Sequence, residues 1–204
     1  MGLLHSSMSS TLQSALLRGL TRLSLTGERN VLAIEGFRRA GVLVPLILRG
    51  GEADLLFTRR TEHVETHKGQ ISFPGGMADE GDADIVHTAL REAEEELGIG
   101  ASLVDIKGIL DDLAVPSGFI ITPVVGILSE LPTLAPNPAE VAEAFTVPFA
   151  FFCSPANGRS ELRDYRGEKR EVWFYEHGEH AIWGATAMIV RSLVLNLGVA
   201  GMTF

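Results

Sequence analysis

Cysteine is nearly missing from this chain: one in 204 residues, Cys153. A single cysteine excludes an internal disulfide framework and any cysteine-rich metal site. It lies in the apolar run Pro148-Phe149-Ala150-Phe151-Phe152-Cys153, with no histidine nearby, and is expected to pack. Long apolar runs are also absent. Val42-Leu43-Val44-Pro45-Leu46-Ile47-Leu48 is too short and too interrupted to span a bilayer, so no stable membrane insertion is expected. Cations are in the minority, 17 Lys and Arg against 26 Asp and Glu, for a net charge of −9. Such a balance offers no general attraction to nucleic acid. It does not exclude a small phosphorylated ligand neutralised locally by cations or by a few placed arginines and lysines.

What the chain does have is material for one core: 46% hydrophobic and 21% charged residues in a length typical of a single domain. Residues 1–27 read as a helical extension with Leu12, Leu16, Leu17, Leu20 and Leu23 on one side, ahead of a domain over 28–204. The extension carries Arg18 and Arg22, many serines and no acid before Glu28, a bias shared with transit peptides, and its first residues fit a short myristoylation pattern. The expected location is cytoplasmic, with a transit peptide left open.

Residues 41–48 and 53–58 read as strands joined by the hairpin turn Arg49-Gly50-Gly51-Glu52. A polar loop over 60–69 leads into Gln70-Ile71-Ser72-Phe73, a strand that ends in the turn Pro74-Gly75-Gly76. Residues 84–97 have the helical period, with Val86, Leu90, Ala93 and Leu97 as the apolar stripe and Gly98 as the stop. Strands are predicted at 103–110, 119–128, 160–165 and 171–176. A short helix is predicted near 139–144 and a last helix at 182–197, bearing Ile182, Ala185, Ile189, Leu193 and Leu197 inward. Strands and helices interleave without regular βαβ spacing. The expected class is therefore α/β of mixed type, an α/β/α sandwich around a mixed sheet.

One helix carries the chemistry. In Arg91-Glu92-Ala93-Glu94-Glu95-Glu96-Leu97-Gly98, Glu92 and Glu96 lie about 40° apart around the axis, and Glu95 about 60° from Glu92 on its other side. Like charges at these spacings repel. A solvated acidic face is the plain alternative, but hard divalent cations such as Mg²⁺ favour such oxygens and would neutralise them. Upstream, Gly75-Gly76 lets the chain turn sharply and offer backbone groups to an ion or phosphate. Arg91 is suited to anchoring the acidic turn or orienting a carboxylate.

Gly76 to Ile99, with Arg91-Glu92-x-x-Glu95-Glu96-x-Gly98-Ile99, resembles the Nudix box. Its N-terminal half departs: Asp82 stands where the family pattern has Glu, with one extra residue before Arg91. That departure, and the upstream stretches Leu55-Leu56-x-Thr58-x-Arg60-Thr61 and Gly69-x-x-x-Phe73-Pro74-Gly75-Gly76, are similar to the coenzyme A pyrophosphatase subfamily. Glu65 occupies a place where that signature has Arg. Pro116-Ser117-Gly118-Phe119, Thr122-Pro123-Val124-Val125 and Ile182-Trp183-Gly184-Ala185-Thr186-Ala187 look like the same group.

The resemblance implies a Nudix-like sandwich that cleaves a nucleoside diphosphate linkage with Mg²⁺ or Mn²⁺. Glu92, Glu95, Glu96 and the Gly76 carbonyl would be the metal ligands, and Glu95, Arg91 and Glu140 the catalytic group, Glu143 being second to Glu140 as base. Arg60, Lys68 and Phe73 would bind substrate. His63 and His67 show no metal-ligand pattern and read as loop residues, while Trp183 and Tyr175 read as core rather than base-stacking rings. The implied partner is a coenzyme A-like nucleotide, with homodimer formation left open. Two other functions stay open: a pyrophosphatase for ADP-ribose, nucleoside diphosphate sugars or nucleotides, and a non-catalytic ligand-binding module of the same fold.

Overall fold

The computed structural model describes residues 11, 13–25, 29–49, 51–62, 69–165 and 167–201. Its frame is a mixed sheet. β1 (Arg38–Arg49) and β7 (Phe119–Leu128) run parallel at the centre. All other pairings within the sheet are antiparallel. β2 (Glu52–Arg60) follows β1 in a hairpin and is flanked on its far side by β8 (Val141–Pro148). β5 (Asp105–Ile109) and β6 (Leu113–Val115) pair with the outer side of β7.

The inner strands β1 and β2 part company towards one end. There β2 pairs with β3 (Ile71–Ser72) and β1 pairs with β4 (Gly75–Met77). Phe73-Pro74 crosses the gap, tied by the Leu43 amide donating to the Pro74 carbonyl at 2.9 Å. This split in the sheet opens the place where the acidic helix sits.

Helices cover both faces, as the sandwich reading expects. α1 (residues 13–20) buries Leu16 and Leu20 in the main core, while Leu17 of the expected stripe is exposed and Leu12 lies outside the described residues. α2 (Ile85–Leu97) starts at Asp84, whose side chain accepts from the His87 amide, and stops at Gly98 in the left-handed conformation. It lies close on β1 because Gly41 has no side chain: a Cβ there would sit 2.8 Å from the Ile85 carbonyl. On the other face, α3 (Phe149–Cys153) and α4 (Ala185–Leu197) close the core around Phe57, Phe73, Phe149, Val190 and Leu193. A smaller antiparallel sheet of β9 (Gly158–Tyr165), β10 (Glu168–His177) and β11 (His180–Trp183) packs beside α4.

Three expectations need correction. Residues 139–144 are not a helix: 138–140 form a turn and β8 begins at Val141. Pairing with β2 from Asp54 to Arg60 outweighs the helix preference of Ala139-Glu140-Val141-Ala142. The strand expected at 103–110 is a 3₁₀ turn at Ala101–Leu103 followed by β5. The final helix starts at Ala185, since 180–183 pair with β10 and Gly184 turns the chain at φ 64°.

Cys153 packs as expected: it is buried, its thiol donates to the Phe149 carbonyl, and burial pushes its pKa up to about 12. Tyr175 is buried in the core, whereas Trp183 is 39% exposed and stacks on Phe174. Among the described residues, no helix is long and apolar enough to cross a membrane.

Candidate active site

The acidic face of α2 points into the split between β3 and β4. Glu92 reaches β4, where Gly76 makes room: a Cβ on Gly76 would lie 2.5 Å from both Glu92 carboxylate oxygens. Glycine is thus required by the carboxylate that packs on it. Burial raises the pKa of Glu92, and its contact with Arg91 offsets part of the rise.

Arg91 is the organising cation. Its Nε and Nη2 donate to the two Asp82 oxygens at 3.0 and 3.1 Å. Nη2 also donates to the Met77 carbonyl, and Nη1 to Glu92 at 2.9 Å and Glu95 at 3.1 Å. One side chain therefore ties the acidic turn, β4 and two of the three glutamates together. Asp82 accepts from Arg91, the Asp79 amide and Thr88, which hold it far below the usual carboxylate range. The shorter carboxylate at this position is therefore a working anchor for Arg91.

Glu96 is the most unusual group. It is only 3% exposed, and its Oε2 has no hydrogen-bond partner among the described residues. Oε1 faces Arg60 Nη1 at 3.9 Å, and Arg60 Nε is likewise buried without a partner. Burial pushes the Glu96 pKa up to about 8, against the pull of Arg60 and with added repulsion from Glu140 and Glu92. Glu140 belongs to this electrostatic neighbourhood because the loop before β8 docks on the end of α2. The Ala135 and Asn137 amides donate to the Leu97 and Glu96 carbonyls at 2.8 and 2.9 Å. Asn137 Nδ2 then donates to Glu140 Oε1, and the Glu140 carbonyl accepts from the Thr61 amide. Thr61 entered the sequence reading only as a member of the upstream signature, and Asn137 was not singled out, its only signal being the turn-forming Asn137-Pro138 pair.

Two expected site residues point elsewhere. Phe73 is buried, its ring stacked on Phe57 at 4.8 Å, so it anchors the turn from below and lines no surface. Glu143 lies on the opposite sheet face from Glu92 and Glu96, paired with Arg59 at 2.9 Å and His180 at 3.4 Å. The cause is a β-bulge: Arg60 faces Val141 and Arg59 faces Glu143, leaving Ala142 as the extra residue. Lys68, Glu65, His63 and His67 lie outside the described residues.

As the side chains stand, no three carboxylates among the described residues enclose a common point: Arg91 draws Glu92 and Glu95, and Glu96 faces Arg60. The donor set nevertheless fits a hard divalent cation. A buried carboxylate oxygen without a partner is costly, and mutually repelling carboxylates gain most from an ion between them.

The family model described as NUDIX domain matches residues 37–174. The chain belongs to the Nudix family. It is 41% identical over 162 residues to the Nudix hydrolase NudL of Photorhabdus laumondii, covering 79% of this chain and 86% of that one. It is 40% identical over 165 residues to NudL of Escherichia coli O1:K1, covering 79% and 84%. Among solved structures the fold is similar to a Deinococcus radiodurans protein (TM-score 0.51, 15% identity, 79% of this chain and 88% of that one). A MutT/nudix family protein from Enterococcus faecalis also has TM-score 0.51, at 13% identity over 80% of this chain and 63% of the other. The chain is a Nudix pyrophosphohydrolase, which sets aside the non-catalytic module.

The Glu96 shift carries a sign that can be tested on this Nudix chain without substrate. Its carboxyl titrates at 4.5 when exposed and at about 8 when folded. Its stabilising contribution is complete below the unfolded value and is lost as pH rises through the folded one. In EDTA, the melting temperature is expected to fall between pH 5 and 8.5. In Glu96→Gln that part of the decline disappears. Asp82 and Asp112, both held low, act only below this window. Parallel melting curves for the two proteins would expose a wrong assignment.

Proposed function

We propose that this Nudix enzyme hydrolyses the diphosphate of coenzyme A or its derivatives to 3′,5′-ADP and 4′-phosphopantetheine, with Mg²⁺ or Mn²⁺. The observation that carries it is the Arg60–Glu96 pairing: an arginine of the upstream, coenzyme A-like signature lies against a box glutamate. The signature and the box thus contribute to one site, where a phosphate is expected to find both.

Glu92, Glu95, Glu96 and the Gly76 carbonyl are the residues that would hold the cation. When bound, it neutralises diphosphate charge and lowers the pKa of an attacking water. Arg91 is a positioning residue: it fixes Glu92 and Glu95 and is itself fixed by Asp82. Arg60 has its Nε buried without a partner and is suited to a phosphate oxygen. Glu140, whose charge acts on Glu92 and Glu96, would accept the proton of water as its oxygen attacks one phosphorus. The bridging P–O bond then breaks, and the leaving phosphate carries away the electron pair.

The test is product analysis on a panel of coenzyme A, an acyl derivative, ADP-ribose and a nucleoside diphosphate sugar, with Mg²⁺, Mn²⁺ or EDTA. Coenzyme A is expected to be cleaved fastest, and EDTA to abolish turnover. Faster cleavage of ADP-ribose would replace this substrate with the alternative one; unchanged rates in EDTA would remove the metal.

A further inference from the structure

Asn137-Pro138-Ala139-Glu140 makes the turn that leads into β8. Asparagine at the first place and proline at the second suit a tight turn, and the Glu140 amide closes it by donating to the Asn137 carbonyl at 3.0 Å. The turn is held from two sides. The Asn137 amide donates to the Glu96 carbonyl of α2 at 2.9 Å. The buried Thr61, just past β2, donates through its hydroxyl to the Ala139 carbonyl at 3.0 Å and through its amide to the Glu140 carbonyl at 2.9 Å. The Glu140 backbone is thereby fixed relative to α2. Its carboxylate is not, because a chain of rotatable bonds separates the two.

The Asn137 side chain supplies the missing restraint. Its Oδ1 accepts from the Ala139 amide at 3.1 Å, a group that can only donate. That bond fixes which end of the Asn137 amide is which. Nδ2 is therefore the end that faces Glu140, and it donates to Oε1 at 3.2 Å. One residue thus touches both the backbone of Glu96 and the carboxylate of Glu140. The restraint has work to do, since Glu140 is repelled by Glu92 and Glu96 and would swing away from them if free.

We infer that Asn137 is a positioning residue of the hydrolysis, holding the Glu140 carboxylate towards the acidic face of α2, where it takes the proton of the attacking water. The inference rests on the reading of Glu140 as the base. Asparagine meets two demands at once, accepting from the turn and donating to Glu140. Aspartate and serine serve the turn as well as asparagine does, each accepting from a nearby amide. Aspartate, however, has no proton to give Glu140, and serine ends one atom nearer the backbone. The two residue types therefore separate a turn former from a positioning residue.

The experiment measures kcat and KM at saturating Mg²⁺ for wild type, Asn137→Ser, Asn137→Asp, Glu140→Gln and the double variant Asn137→Ser with Glu140→Gln. Coenzyme A and ADP-ribose are assayed in parallel, with melting curves as the folding control. In Glu140→Gln, kcat is expected to fall about a hundredfold, the lower end of what a general base contributes. In Asn137→Ser and Asn137→Asp it should fall about tenfold, with KM and melting temperature at their wild-type values. In the Glu140→Gln background the serine substitution should cost no more than about twofold, because a base already removed cannot be misplaced. Wild-type kcat in either folded Asn137 variant overturns the inference. A further tenfold loss in the double variant also overturns it, by showing that Asn137 acts on something other than Glu140. Wild-type kcat in Glu140→Gln overturns the assignment of the base, and this inference with it. The same losses seen with ADP-ribose as the faster substrate would replace coenzyme A and still support the role of Asn137.

Discussion

Glu96→Gln is expected to cut kcat by about a thousandfold while leaving the fold intact or firmer. The reasoning joins two observations on one residue. Its carboxylate is buried with an unpartnered oxygen, and its neighbours Glu92 and Glu140 repel it. An amide of the same shape removes that repulsion and the cost of a buried charge, so the melting temperature in EDTA should hold at pH 7 and exceed wild type at pH 9. The same amide is a poor ligand for a hard cation. Loss of metal-assisted charge stabilisation, several kcal/mol, corresponds to about three orders of magnitude in rate. Glu95→Gln separates the roles further. Glu95 is exposed and only its contact with Arg91 is lost, so stability should be unchanged while turnover falls. The measurements are kcat with Mg²⁺ and melting temperature without it. Wild-type turnover in both variants would end the assignment of this face as the catalytic one.

The helix and its acids were legible because they depend on local order. Gly98 as stop and the spacing of Ala93 and Leu97 are within one turn of their effect, whereas Asp84, read as the first residue of the helix, is its cap. The Gly75-Gly76 turn could be read for its flexibility, but not for its actual reason, the approach of Glu92 to Gly76 across 16 positions of sequence. Phe73 illustrates the opposite failure. Its place in the signature suggested contact with substrate, yet strand alternation turns it to the core face, where Phe57 awaits. For Glu143 the error was one of register. A helix near 139–144 would have kept Glu140 and Glu143 on one face; instead Glu140 stays in the turn before β8, and the bulged strand carries Glu143 to the far side of the sheet. Register and bulges are set by the partner strand β2, far away in sequence. Asp112 was invisible for the same reason, since its partners Arg29, Arg39 and Thr122 come from three separate stretches.

Asp112→Asn is the substitution expected to cost most stability. Asp112 has a fully buried side chain between two arginines, Arg29 and Arg39, and also accepts from Thr122 at 2.7 Å. Burial alone would raise its pKa; the bonds from Thr122, the Leu32 amide and Arg29 outweigh that and hold it low. The pair of cations is not stranded completely, because Arg29 and Arg39 keep 18% and 35% of their side-chain surface in water. The loss should therefore sit near the lower end of the range for breaking a buried pair, about 3 kcal/mol. In a chain of this size that is a fall of roughly 10 °C in melting temperature. Removing the exposed Glu161 from its contacts with Arg159 and Arg163 should change nothing measurable, because water and salt screen such pairs. A melting temperature within 2–3 °C of wild type, which is about 1 kcal/mol here, would show that the network is dispensable.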